Sequence, residues 1–137
     1  MTTADVTGGI HSTSTWTDHR TGRDGDCVLV VHVHGEFDQA TGVNTAELVR
    51  QALARRPAAL VLDLTEVDFV GSAALSVLVD ARRRADEAGI ALGVVAARRV
   101  TLLPLELTGL TRVFAVFSTV RQALAELRGK DTGALSA

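Results

Sequence analysis

The sequence predicts an α/β domain: a mixed, mostly parallel β-sheet of four or five strands packed against about four α-helices. Three observations predict it. Apolar runs rich in β-branched residues, CVLVVHV, AALVL and IALGVV, recur along the chain. Segments with helical periodicity lie between them. Most of those segments begin at a capping residue or end at a glycine. Strands alternating with helices imply crossover connections and parallel pairing.

Taken in order, residues 1–12 have little hydrophobic pattern and predict a flexible arm. STSTWTDH alternates around Trp16 and predicts a first strand. RTGRDGD (20–26) is a turn. CVLVVHVHGEFD is the clearest strand, and would pair with the first as an antiparallel hairpin. Asp38 and Thr41 are candidate N-caps for VNTAELVRQALARR, whose apolar face carries Val43, Ala46, Leu48, Val49, Leu53 and Ala54. AALVLDLTEV (58–67) is a strand of the kind buried on both faces. A helix then runs from about Ser72 to Ala88, ended by Gly89. IALGVVAA (90–97) is another buried strand. RRVTLLPLELTGL predicts a short helix interrupted at Pro104 and stopped at Gly109. TRVFAVF predicts the last strand, and STVRQALAELRGK a last helix capped by Ser118. The domain therefore spans residues 13–128, with a flexible tail at 129–137.

The 137 residues suit one domain, large enough to bury about two thirds of its unfolded surface. Net charge is −2 and no region is strongly basic, so no nucleic-acid partner is expected. Aromatic residues are 4% with no tyrosine, which gives no platform for base stacking. The N-terminal residues lack a basic and apolar leader pattern, and no apolar run is long enough to cross a bilayer. The one cysteine, Cys27, cannot form an internal disulfide. A cytoplasmic protein without a membrane partner is the expectation.

Catalytic chemistry is sparsely signalled. There is no phosphate loop of the G-x-x-x-x-G-K-[ST] type and no G-x-G-x-x-G after a strand. His32 and His34 share one strand face, near Cys27 and His19, but lack the spacing of a zinc site. They are expected on a solvent-facing side of the strand. Asp63, in an otherwise apolar strand, is expected to hydrogen-bond to nearby backbone; Asp38 and Asp68 are further candidate carboxylates. No serine stands in a G-x-S-x-G elbow. Arg82, Arg83 and Arg84 read as a solvated helix face. No cofactor, no metal and no enzymatic activity are expected.

The stretch FVGSAALS places one hydroxyl, Ser72, where a strand passes into a helix. On a helical wheel Ala74, Val77, Leu78, Ala81, Ala85 and Ala88 face the sheet. Ser72, Ser76, Val79 and Arg83 form the opposite line, with Leu75 between. That line is a candidate docking strip. As an N-cap, Ser72 would contribute about 1 kcal/mol. As a phosphoserine it would add about −1.5 to −2 charges to the head of an apolar strip. The residues proposed to meet a partner are Asp38, Gly71, Ser72, Ala73, Leu75, Ser76 and Val79.

Four elements in order carry a resemblance: Gly35-Glu36-Phe37-Asp38, then LDLTEVDFVGSAALSVL, then LELTGLTRVF, then a closing helix rich in Ala and Leu. Together they resemble the STAS domains of bacterial anti-sigma factor antagonists, over residues 13–128. The resemblance implies a non-enzymatic regulator of transcription in stress responses. Its implied partner is an anti-sigma factor with a histidine-kinase-like ATPase fold, from which it frees a sigma factor. Phosphorylation of Ser72 by that partner would switch binding off. Gly71, Ala73 and Ala74 stand where the family has Asp, Ser or Thr, and Gly. The alternative is a degenerate STAS scaffold, or a small-ligand or nucleotide-binding module without phospho-switching. A monomer or weak dimer is expected.

Overall fold

The computed structural model describes residues 14–22 and 25–127. The arm and tail predicted at the two ends lie outside these residues. Five strands form one sheet in sequential order. They are β1 (Ser14–Thr21), β2 (Cys27–Phe37), β3 (Ala59–Val70), β4 (Ala91–Val95) and β5 (Ala115–Phe117). β1 runs antiparallel to β2; all other pairs are parallel. The helices are α1 (Gln39–Ala54), α2 (Ser72–Ala88), α3 (Arg99–Leu107) and α4 (Val120–Glu126).

Because β2 to β5 succeed one another in one direction across the sheet, crossovers of one hand place α1, α2 and α3 on the same face. The main core lies there. Leu29, Val31, Val33, Leu60, Leu62, Leu64, Leu92 and Val94 meet Val49, Leu53, Leu78 and Leu105. Among the described residues the opposite face is covered only by α4, where Ala123 packs with Val28, Val30, Ala59, Val61 and Val95. β3 is buried on both sides along Ala59–Leu64, as its continuous apolar run requires.

The first helix starts at Gln39 and β3 runs on to Val70, both beyond the sequence expectation; three further differences have a local reason. Pro104 does not interrupt α3. The carbonyl it leaves without a donor belongs to Val100, an exposed residue that water can serve. The last strand begins only at Ala115, because Gly109 enters a 3₁₀ turn, Leu110–Arg112. There Arg112 N–H donates to the Gly109 carbonyl, and the Val113 and Phe114 N–H groups to that of Leu110. The cap of α4 is Thr119, not Ser118. Thr119 Oγ1 accepts from the Gln122 N–H at 3.0 Å, and Gln122 Oε1 accepts from the Ser118 N–H at 2.9 Å.

β3 outruns β4, which pairs only as far as Asp63. The exposed carbonyls beyond it are served by Arg98 at the head of α3. Its Nη1 donates to the Thr65 and Val67 carbonyls at 3.4 and 3.2 Å, and its Nη2 reaches Asp68 at 3.4 Å. This carries β3 outward to Val70 and delivers Gly71 and Ser72 to the rim of the domain.

Candidate functional site: two helix starts on one rim

β2 and β3 are parallel and end in register, Phe37 opposite Val70. The Gly71 N–H donates to the Phe37 carbonyl at 3.0 Å, so the next residues, Asp38 and Gly71, are held side by side. Each begins a helix. Two irregularities in the β2–β3 register, one of them at Gly35, turn the strand end toward this rim. Gly35 has φ +88°, a conformation that glycine adopts without strain.

The α1 start is closed. Asp38 is its N-cap, and one carboxylate oxygen accepts from the Thr41 N–H at 3.3 Å. The Thr41 hydroxyl donates to the Glu36 carbonyl at 2.7 Å, and the Thr45 hydroxyl to the Thr41 carbonyl at 2.9 Å. Both threonines are buried. Gly42 faces α2 so closely that a Cβ there would lie 3.1 Å from Val77 Cγ2.

The α2 start is open. Its N-cap is Gly71, with no side-chain cap, and Ser72 is the first helical residue. Of the two readings of Ser72, helix cap and available hydroxyl, this leaves the cap without support. Backbone dihedrals decide the point: Gly71 is extended (φ −91°, ψ 173°), as an N-cap must be, and Ser72 is already helical. Ser72 is exposed, and the first turn keeps amides without an intrahelical acceptor.

The rest of α2 follows the wheel. Ala74, Leu78, Ala81 and Ala85 are buried, Ala73, Leu75 and Val77 are half-buried, and Ser76 and Arg83 are exposed. Val79 is 50% exposed. The rim brings Asp38, Gly71 and Ser72 together. Ser76 and Val79 continue along the same helix line, with Val79 about 10 Å from Ser72 along the axis at 1.5 Å per residue. The Ser76 hydroxyl donates weakly to the Ser72 carbonyl at 3.5 Å.

A groove of about 470 Å³ runs beside this line, bounded by Leu75, Ser76, Val79, Asp80, Arg83, Thr108 and Leu110. Its far wall comes from the end of α3 and the following turn, which sequence reasoning did not connect to α2. Asp80 accepts from Arg84 at 2.7 Å and also from Arg83; these two arginines hold its carboxyl below the usual range. Arg83 also meets Glu87 at 3.1 Å. Such exposed pairs contribute little to stability and leave the α2 surface nearly balanced in charge.

Phe69 was also missed. It is 53% exposed at the end of β3, with Cε2 3.3 Å from where a Gly71 Cβ would stand. In the sequence Phe69 reads as part of an apolar strand run, and only its exposure in the fold sets it apart.

His32 and Asp63 lie away from this rim, on the sheet face that α4 half covers. The expectation of solvated strand histidines fails for His32, whose Nδ1 is 2.7 Å from Asp63 Oδ2. Asp63 also bonds to backbone as expected, accepting from the Thr65 N–H at 3.0 Å as well as from its hydroxyl. Burial pushes the Asp63 carboxyl up, but the His32 and Thr65 hydrogen bonds outweigh it and hold the group below its ordinary value. Among the described residues no three His, Cys, Asp or Glu side chains converge as a metal site, and no helix is long and apolar enough to cross a membrane.

The STAS domain family model matches residues 20–123, which include every strand from β2 to β5 and both helix starts. The chain belongs to the STAS domain family. The anti-sigma-F factor antagonist RsfB of Mycobacterium tuberculosis is 37% identical over 106 residues, 77% of this chain and 86% of RsfB. The crystal structure of an anti-sigma factor antagonist from Mycobacterium paratuberculosis superposes with a TM-score of 0.73 at 34% identity. It covers 82% of this chain and 92% of that one. The anti-sigma factor antagonist SpoIIAA in its unphosphorylated form shares the fold, with a TM-score of 0.61 at 9% identity over 80% of this chain and 92% of its own. These STAS relatives are antagonists of another protein: regulatory binders, not enzymes.

Proposed function

We propose that this STAS domain is an anti-sigma factor antagonist that docks on its partner through the α2 rim and frees a sigma factor. The partner would be an anti-sigma factor with a histidine-kinase-like ATPase fold, and Ser72 the residue it phosphorylates to end the interaction. The observation that carries this is the division of labour at the α2 start. Gly71 occupies the cap, so the Ser72 hydroxyl is exposed and has no structural duty. It stands at the head of a line that continues through Leu75 and Val79 beside an open groove.

A phosphate on Ser72 would meet the free amides and positive end of α2, so the fold tolerates it. The same charge would oppose burial of the apolar strip against a partner. Gly71, Ala73, Ser76 and Asp38 complete the contact surface. Gly71, where family members have Asp, favours a second reading in which the module binds constitutively and is not phosphorylated.

The test is incubation with ATP and an anti-sigma kinase that binds the chain, followed by intact-mass analysis. One added phosphate, lost in Ser72→Ala, supports the switch. No phosphate despite binding selects the constitutive reading. In a parallel titration, Val79→Glu should weaken partner binding at least about tenfold, a charge being costly to bury unpaired, while the melting temperature holds. Equal losses of binding and stability would show that Val79 serves the core.

A further inference from the structure

Beyond the half of the sheet that α4 covers, the same face carries a polar cluster at its centre. His32 on β2 lies opposite Trp16 on β1 and Asp63 on β3. The Trp16 and His32 rings stack with centroids 4.9 Å apart and planes 20° from parallel. His32 Nδ1 lies 2.7 Å from Asp63 Oδ2, and His32 Nε2 lies 3.5 Å from Asp18 Oδ2. The imidazole is mostly buried, its side chain 13% exposed.

The two ring nitrogens therefore face two carboxylates. A carboxylate only accepts, so Nδ1 carries a proton toward Asp63. In the neutral ring, Nε2 would then turn a lone pair toward Asp18. Only the imidazolium donates at both ends, and only the imidazolium gains the attraction of a cation for the indole face. We infer that His32 is a proton-operated clasp: protonation ties edge strand β1 to β2 and β3, and loss of the proton loosens β1.

The surrounding charges support that sense. From β1, Asp18 faces the ring and is itself bound by Arg20 at 2.7 Å. From β3 comes Asp63. On β2 itself, His34 and Glu36 follow on the same face. From α4, Arg121 shares a recess with Arg20. Burial pushes the Asp18 carboxyl up, but Arg20 and His32 hold it below its ordinary value, as His32 and Thr65 do for Asp63. Both carboxylates thus stay ionised while a histidine titrates. Among the described residues β1 has a sheet neighbour on one side only. A further tie, Arg55 to His19 Nε2 at 2.6 Å, lies apart from the cluster, since His19 pairs with Leu29 of the opposite face. β2 runs on from His32 to Phe37 and Asp38, so the clasp holds the strand that leads to the rim.

The test is amide hydrogen exchange of the full chain from about pH 5 to pH 8, corrected for intrinsic rates, with the His32 ring followed by NMR. Protection of residues 16–20 should fall about tenfold relative to β3 as His32 deprotonates, the scale of one charge-assisted hydrogen bond. The step should vanish in His32→Gln and shrink in Asp18→Asn, a milder change at a half-exposed position. Protection independent of pH in the wild type, or a step that survives in His32→Gln, overturns the clasp. Should His32→Gln fail to fold, an undiminished step in Asp18→Asn overturns it equally.

Discussion

The two helix starts on the rim are neighbours with opposite designs. α1 opens with a carboxylate cap, two buried threonines bonded to backbone carbonyls, and a glycine pressed against α2. α2 opens with a bare glycine cap and an exposed serine. The same strand-to-helix joint is thus built once for holding and once for meeting something. The difference teaches how to separate a structural hydroxyl from an available one. Thr41 and Thr45 are buried with their oxygens bonded. Ser72 is exposed, and the cap beside it is a residue with no side chain to compete.

The largest break in this comparison is expected on the closed side. Gly42→Val places a branched side chain where even a Cβ lies 3.1 Å from Val77 Cγ2. Overpacking of this kind costs about 1–3 kcal/mol, to be read from urea unfolding midpoints. A neutral result would mean that α1 and α2 can slide apart. Asp38→Ala comes next. It removes the acceptor for the Thr41 N–H and should cost about 0.5–2 kcal/mol. The 3.3 Å length of that bond favours the lower half of the range. A loss below the error of thermal unfolding would show that water caps α1 as well as Asp38 does.

Residue spacing told less about these joints than about the sheet. The succession of strands and helices along the chain and the buried face of α2 were legible, because period-2 and period-3.6 patterns are written in consecutive residues, as in CVLVVHV and in Ala74, Leu78, Ala81 and Ala85. Asp38 was legible as a cap because its side chain does the capping. The α2 cap was not, because at Gly71 the backbone alone decides it, and Ser72 one residue on has the chemistry of a cap without the dihedrals. The His32–Asp63 bond was invisible for another reason. It joins residues 31 apart, through a register that no local pattern encodes. The groove beside Val79 likewise needs the turn after α3 to be folded back onto α2.

Gly71→Asp would make the two starts alike. Gly71 sits at φ −91°, open to any residue, and the nearest obstacle to a side chain is the far end of the exposed Phe69 ring. A carboxylate cap should add a few tenths of a kcal/mol over glycine. The gain is held down by repulsion from Asp38, whose Cα is 3.9 Å from the new Cβ position. Differential scanning calorimetry resolves such a gain. Destabilisation instead would show that Phe69 cannot yield and that glycine is there for space.

Ser72→Ala should change stability least, and it separates the two designs most cleanly. If the hydroxyl were the cap, its loss would cost about 0.5–2 kcal/mol. With Gly71 as the cap, Ser72 is an exposed first-turn residue, and the change should stay within about 0.5 kcal/mol. Alanine is also the better helix former, which pulls the expectation toward zero or slightly above. Chemical denaturation of wild type and variant side by side measures it. A loss beyond 1 kcal/mol would return the oxygen to structural duty and weaken the case for a switch. A loss near zero leaves Ser72 as a hydroxyl the fold does not need, on a rim where the neighbouring helix start binds Asp38, Thr41 and Thr45 into its own structure.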